Sequence, residues 1–169
     1  VYAALCRQLD KPLCIVTPGE AEATRFAADL NTLGIPAAVF PARDYVLRPI
    51  EGTAREYEYR RLAVLGELVG GRLRAVAVPA EALTQFTTPK EDFCANTRTL
   101  HAGDTLLRDD LLAALFGAGY TRRAQVDGPG QYSVRGDIVD IFAPDQKMPV
   151  RMEFWGDEID TLHTFDPVS

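Results

Sequence analysis

The sequence predicts an α/β part with a parallel sheet covered by helices, followed by a small α+β domain with a mostly antiparallel sheet. Three observations predict it. In the first half, short apolar runs alternate with helical patterns in the order β-α-β-α-β, which packs as parallel strands under helices. After Gln85-Phe-Thr-Thr-Pro89, strand patterns follow one another through short turns, as in antiparallel sheets. The charge divides at the same place. Residues 1–88 carry 10 Lys+Arg against 10 Asp+Glu and residues 89–169 carry 8 against 14, so the net charge of −6 lies wholly in the second half. The expected domains are 1–88 and 89–169.

In the first half, Leu13-Cys-Ile-Val16 is an apolar strand closed by Thr17-Pro-Gly-Glu20. Ala21 to Leu33 follows as a helix with Phe26, Leu30 and Leu33 on one face and Gly34 as its stop. Ala37-Ala-Val-Phe40 is a strand between Pro36 and Pro41. A polar loop over 41–52 leads to a helix from about Thr53 to Val69, with Leu62, Leu65 and Val69 at helical spacing. Gly70-Gly71 ends it, and Ala75-Val-Ala-Val78 is the third strand. In the second half, Thr97-Arg-Thr-Leu100 is strand-like and about Asp109 to Phe116 is a short helix, with Asp109 and Asp110 suiting its first turn. Strands are expected at about 121–126, 131–142, 150–155 and 158–165. Gly156-Asp157 suits the tight turn of the last hairpin. Ile159 and Leu162 have opposite parity along the last strand, which points to a bulge.

Composition narrows the function. No apolar run of eighteen residues is present, so no membrane-spanning helix or membrane partner is expected. The chain opens on Val1 in a helical pattern, without an initiator Met or a signal-peptide pattern, and is expected to be a piece of a longer protein. Cys6, Cys14 and Cys94 are three in number and spaced 8 and 80 apart. That is neither a disulfide framework nor a zinc spacing, and buried thiols in a reducing cytoplasm are expected. An acidic second half repels phosphate, which argues against nucleic-acid binding by that half.

Catalytic chemistry is hard to find. There is no Gly-Lys dipeptide and hence no phosphate-cradling loop. Gly128-Pro-Gly130 reads as a turn. His101 and His163 have no partners at ligand spacing, Asp137 and Asp140 have opposite strand parity, and Asp157-Glu158 reads as a solvated hairpin tip. No catalytic residue, metal or cofactor is expected in this chain, and it is not expected to be an enzyme by itself.

What stands out is the tail. In Val150-Arg-Met-Glu-Phe-Trp155 the residues alternate with period two, with Val150, Met152 and Phe154 on one face and Arg151, Glu153 and Trp155 on the other. The first set makes a core. The second puts a large aromatic beside an Arg, and these residue types often carry binding energy at protein interfaces. A wet sheet face for Arg151 and Glu153, and a core position for Trp155, are the alternatives.

Gly130-Gln-Tyr-Ser-Val-Arg-Gly-Asp-Ile-Val-Asp-Ile-Phe-Ala-Pro144, then Pro149-Val-Arg-Met-Glu-Phe-Trp-Gly-Asp-Glu-Ile-Asp160, then Thr164-Phe-Asp-Pro167, resembles the N-terminal UvrB-homology module of bacterial transcription-repair coupling factors (Mfd), a module shared with UvrB. The strong match covers about forty residues, and weaker likeness extends upstream over most of the chain. The resemblance implies a helicase-like α/β domain 1a, degenerate and without a phosphate loop, followed by a small domain 2 that docks onto the damage sensor UvrA. UvrB carries a long aromatic hairpin where this chain has only Pro41 to Gly52, which favours the coupling-factor side. Carried over by motif position, the UvrA-binding residues are Arg135, Arg151, Glu153 and Trp155. Trp155 replaces a usual Phe, and Ser133 stands where UvrB has a further Arg.

The resemblance therefore implies a non-catalytic docking module for nucleotide excision repair. Its partners would be UvrA and the remainder of its own chain. RNA polymerase, DNA, ATP and Mg would be engaged only by motor and C-terminal regions outside this sequence. The alternatives are a UvrB-like fragment of an ATP-dependent damage-verification enzyme and an autoinhibitory structural domain. Replacement of Arg135, Arg151 or Trp155 by Ala is expected to weaken docking without changing the thermal melt.

Overall fold

The computed structural model describes residues 1–43 and 53–167, which form two compact units, Val1–Thr88 and Pro89–Ser169. Most of the 41–52 loop lies outside the described residues.

The first unit contains α1 (Tyr2–Gln8), β1 (Leu13–Thr17), α2 (Glu20–Thr32), β2 (Ala37–Val39), α3 (Thr53–Val69), β3 (Ala75–Pro79) and α4 (Ala80–Leu83). Its strands form a parallel sheet in the order β1-β3-β2. The central strand, Ala75-Val-Ala-Val-Pro79, is buried throughout, as expected of a strand covered on both faces. Odd positions meet α2, where Ala23 and Ala27 pack on Ala77. Even positions, Val76 and Val78, pack with Phe40, Val64 and Ala82.

The helix faces differ from those expected. The buried stripe of α2 is Ala23, Ala27 and Leu30, and Leu33 is exposed. Small side chains allow the helix to lie close to the sheet, so the larger residues define its flanks. On α3 the stripe runs through Arg61, Val64, Leu65 and Leu68 rather than Leu62, Leu65 and Val69. Arg61 turns inward because its guanidinium lies 4.1 Å over the Phe40 ring. It also donates to the carbonyl of Pro41 at 2.8 Å and to Thr87 Oγ1 at 2.7 Å, so its polar atoms are satisfied where a hydrophobicity pattern expects none.

The second unit contains α5 (Lys90–Ala95), α6 (Arg108–Gly117), β4 (Thr121–Arg122), β5 (Gln131–Arg135), β6 (Ile138–Phe142), β7 (Val150–Trp155) and β8 (Glu158–Thr164). The sheet order is β4-β5-β6-β7-β8. All pairings are antiparallel except β4 with β5, which is parallel and two residues long. Leu111 and Leu115 of α6 cover one face, against Tyr132, Val139, Met152, Phe154 and Ile159.

Four expectations need correction. The single strand expected over 131–142 is two, β5 and β6, because Gly136-Asp137 turns the chain back on itself. Thr97–Leu100 forms no strand. Its Leu100 packs on the core cluster, so one apolar anchor gives the segment its extended look. The strand expected over 121–126 ends at Arg122. Of the cysteines only Cys6 is buried, while Cys14 and Cys94 are exposed. Cys14 stands on an edge strand, and Cys94 on the short helix α5, which buries no residue.

The expected bulge is present. The β7–β8 register shifts between Glu153 and Phe154, where Phe154 pairs with Ile159 but Glu153 with Thr161. Asp160 is the extra residue, and it keeps both Ile159 and Leu162 against the core.

Candidate docking face

Core alternation in β5, β6 and β7 leaves the opposite face to polar residues. The register aligns Ser133, Asp140, Arg151 and His163 in one row across four strands. The neighbouring row is Arg135, Ile138, Glu153 and Thr161. Because β5 and β7 both run antiparallel to β6, the turns Gly136-Asp137 and Gly156-Asp157 lie at the same end of the sheet, beside Arg135 and Trp155. Each is a two-residue turn with its glycine first and at positive φ, 60° and 63°, the glycine-first pattern of a type II′ hairpin.

The centre of the face is Asp140, whose side chain is 1% exposed. Arg151 donates from Nε to its Oδ1 at 2.7 Å and from Nη2 to its Oδ2 at 2.9 Å, a two-point guanidinium–carboxylate pair. Arg135 donates from Nη2 to Oδ2 at 2.8 Å, and the buried Ser133 hydroxyl donates to the same oxygen at 3.3 Å. Burial alone would push the Asp140 carboxyl up, but hydrogen bonds from Arg151 and Arg135, with their charges, outweigh it and hold the group below its ordinary value. In return the Asp140 bond raises Arg151. The Arg151 guanidinium also lies 4.5 Å over the Phe165 ring.

The four expected site residues are thus arranged differently from one another. Arg135 and Arg151 converge on one carboxylate, with side chains 55% and 28% exposed. Glu153 is half-buried on the same face, and its charge further raises Arg151. Trp155 is 83% exposed, so it is not a core residue. Arg108, at the start of α6, donates to the carbonyl of Gly136 at 2.9 Å and to Asp137 Oδ1 at 3.2 Å, which pins the turn next to Arg135.

Asp140 and Phe165 were missed by sequence reasoning. The signal for Asp140 was a carboxylate inside the apolar strand Ile138-Val-Asp-Ile-Phe142. Such a residue is costly to bury unless a partner strand supplies a cation, and Arg151 lies directly opposite. The finding also changes an expectation. Arg151→Ala would strip a buried carboxylate of its main partner, so its melt cannot be assumed unchanged.

Among the described residues no group of three or more His, Cys, Asp or Glu side chains could hold a metal ion, and no helix is long and apolar enough to cross a membrane.

The fold and face define a class: residues 99–169 match the family described as the UvrB interaction domain, and this segment belongs to it. Over nearly its whole length the chain is homologous to transcription-repair-coupling factors. It is 37% identical to that of Mycobacterium bovis over 173 residues, which is 98% of this chain and 14% of the relative. For that of Bacillus subtilis the identity is 28% over 166 residues, covering 97% and 14%. UvrABC system protein B of Chlorobaculum tepidum is 33% identical over 135 residues, covering 79% of this chain and 20% of the relative. The chain thus spans between 14% and 20% of the length of these relatives.

Proposed function

We propose that this chain is a non-catalytic docking module that recruits UvrA in nucleotide excision repair, as part of a coupling factor acting in the cytoplasm. The observation that carries the reading is the polar sheet face of the UvrB interaction domain, where an exposed Trp155 stands beside two arginines held on one buried carboxylate. An exposed tryptophan and cations with unused donors suit a partner surface that supplies an apolar recess and carboxylate or carbonyl oxygens. Arg135, Arg151 and Trp155 supply the contacts, with Glu153 at the margin of the patch.

The first unit is read as a helicase-like domain 1a, a reading supported by its parallel sheet with helices packed on it. ATP, Mg, DNA and RNA polymerase are left to other regions of the longer protein.

Titration of the chain with purified UvrA tests the docking. Wild type is expected to bind, and Trp155→Ala to lose about 2 kcal/mol, roughly 30-fold in Kd. The melt of that variant is expected to stay within about 0.5 kcal/mol of wild type in stability, since the indole is already in water. Equal affinity of the two proteins would remove Trp155 from the site.

A further inference from the structure

We propose that Asp140 is the positioning residue of the docking face, a buried carboxylate that touches no partner but holds Arg135 and Arg151 as one fixed cationic pair aimed at carboxylate oxygens of the partner. The inference rests on the docking reading above and adds to it how the arginines are presented.

Three features of the geometry support this. First, Asp140 is almost wholly covered, so a docking protein has no access to it. Second, its oxygens engage only part of each guanidinium. The Arg151 bonds use Nε and Nη2 and the Arg135 bond uses Nη2, which leaves Nη1 of both, and Nε of Arg135, without an acceptor among the described residues. Third, Arg151 is held in its plane by Asp140 and across its face by Phe165, and the turn beside Arg135 is pinned by Arg108. Long cationic side chains normally lose much rotamer freedom on binding. Here that freedom is already restricted in the unbound protein, and the N–H groups that Asp140 does not engage are what meets the partner. Carboxylate is the favoured ligand because planar guanidiniums present paired N–H groups at its spacing.

The test is a binding cycle with UvrA as the probe. Asp140→Asn is expected to weaken binding about tenfold or more. In a background of Arg135→Gln and Arg151→Gln it is expected to cause no further loss, because Asp140 acts only through those two side chains. Combined with Trp155→Ala, its effect is expected to multiply. A merely structural role would give the same fold-loss in every background.

Arginine side-chain NMR supplies a second readout that needs no partner. Wild type is expected to show a resolved, slowly exchanging Arg151 Nε–H signal that Asp140→Asn abolishes. Asp140→Ser joins the series, so that a folding defect in one variant does not stand for the effect. Should wild type fail to bind UvrA, the docking reading falls, whatever the NMR shows. Binding by wild type with an unchanged affinity for Asp140→Asn, a loss that persists without the arginines, or an Arg151 signal that exchanges freely in wild type overturns the positioning role.

Discussion

At the scale of the residue, Asp140 determines what its neighbours can tolerate. Arg151→Ala leaves a buried carboxylate with Arg135 and Ser133 alone, and a loss of about 1–3 kcal/mol is expected in urea unfolding of the second unit. Arg135→Ala is expected to lose less, since its side chain is half exposed and its pairing is screened by water. The pH dependence follows from the same group. The folded pKa of Asp140 lies below its unfolded value of about 3.9. Its contribution is therefore fully present above that value and is lost as pH falls through the depressed folded pKa. The urea midpoint of wild type is expected to fall more steeply below about pH 4 than that of Asp140→Asn, and parallel curves would contradict this. Trp155 and Arg151 were legible because strand parity set them on the face away from Met152 and Phe154, whereas Arg135 was reached only through the family motif. Asp140 was not, because a carboxylate on an outward-facing position looks solvated until the neighbouring strands are placed and their guanidiniums are seen to roof it.

At the scale of the element, the two hairpins owe their shape to single glycines. A Cβ added at Gly156 would meet no atom within 4 Å, so Gly156→Ala tests the positive φ alone. A loss of about 1–2 kcal/mol is expected by thermal or urea unfolding, and because the turn lies next to Trp155, a weaker UvrA interaction should accompany it. Helix α3 was readable to its ends, Thr53 and Val69, from the flanking loop and the Gly70-Gly71 stop. Its buried face was not, because Arg61 packs inward through a ring stack and backbone carbonyls that periodicity does not register. Similar physics hid the inner stripe of α2: alanines score weakly as core residues, yet Ala23 and Ala27 are what touch the sheet.

At the scale of the whole molecule, charge and chain order were the legible quantities. The β-α-β-α-β pattern in the first half and the run of strands in the second correspond to the two sheets. A strand was expected from residue 121, but the early end of β4 at Arg122 and its parallel pairing were not legible, since two residues carry no alternation. With a net charge of −6 concentrated in residues 89–169, a duplex oligonucleotide is expected to show no shift with this chain at physiological salt. Retarded DNA that is released by added salt would contradict that expectation. The same field is set against the local positive pair at Asp140. An acidic partner would feel net repulsion at long range and a specific attraction only on contact, so added salt should not slow its association as it slows that of a strongly steered pair.

The extra residue at Asp160 has a consequence for how this domain tolerates length change. Upstream and downstream of it, β8 is written in two different phases, and one residue reconciles them. Deleting Asp160 would set Ile159 and Thr161 in succession against Phe154 and Glu153, so Leu162 would stay opposite Met152 and His163 opposite Arg151. The strand would lose its bulge and keep its faces. A residue gained at the same point has no place in the ladder and must be looped out beside Asp160, or it displaces the pairing of all that follows. The strand is therefore tolerant of loss and intolerant of gain here, and only the gain would carry Phe165 away from Arg151.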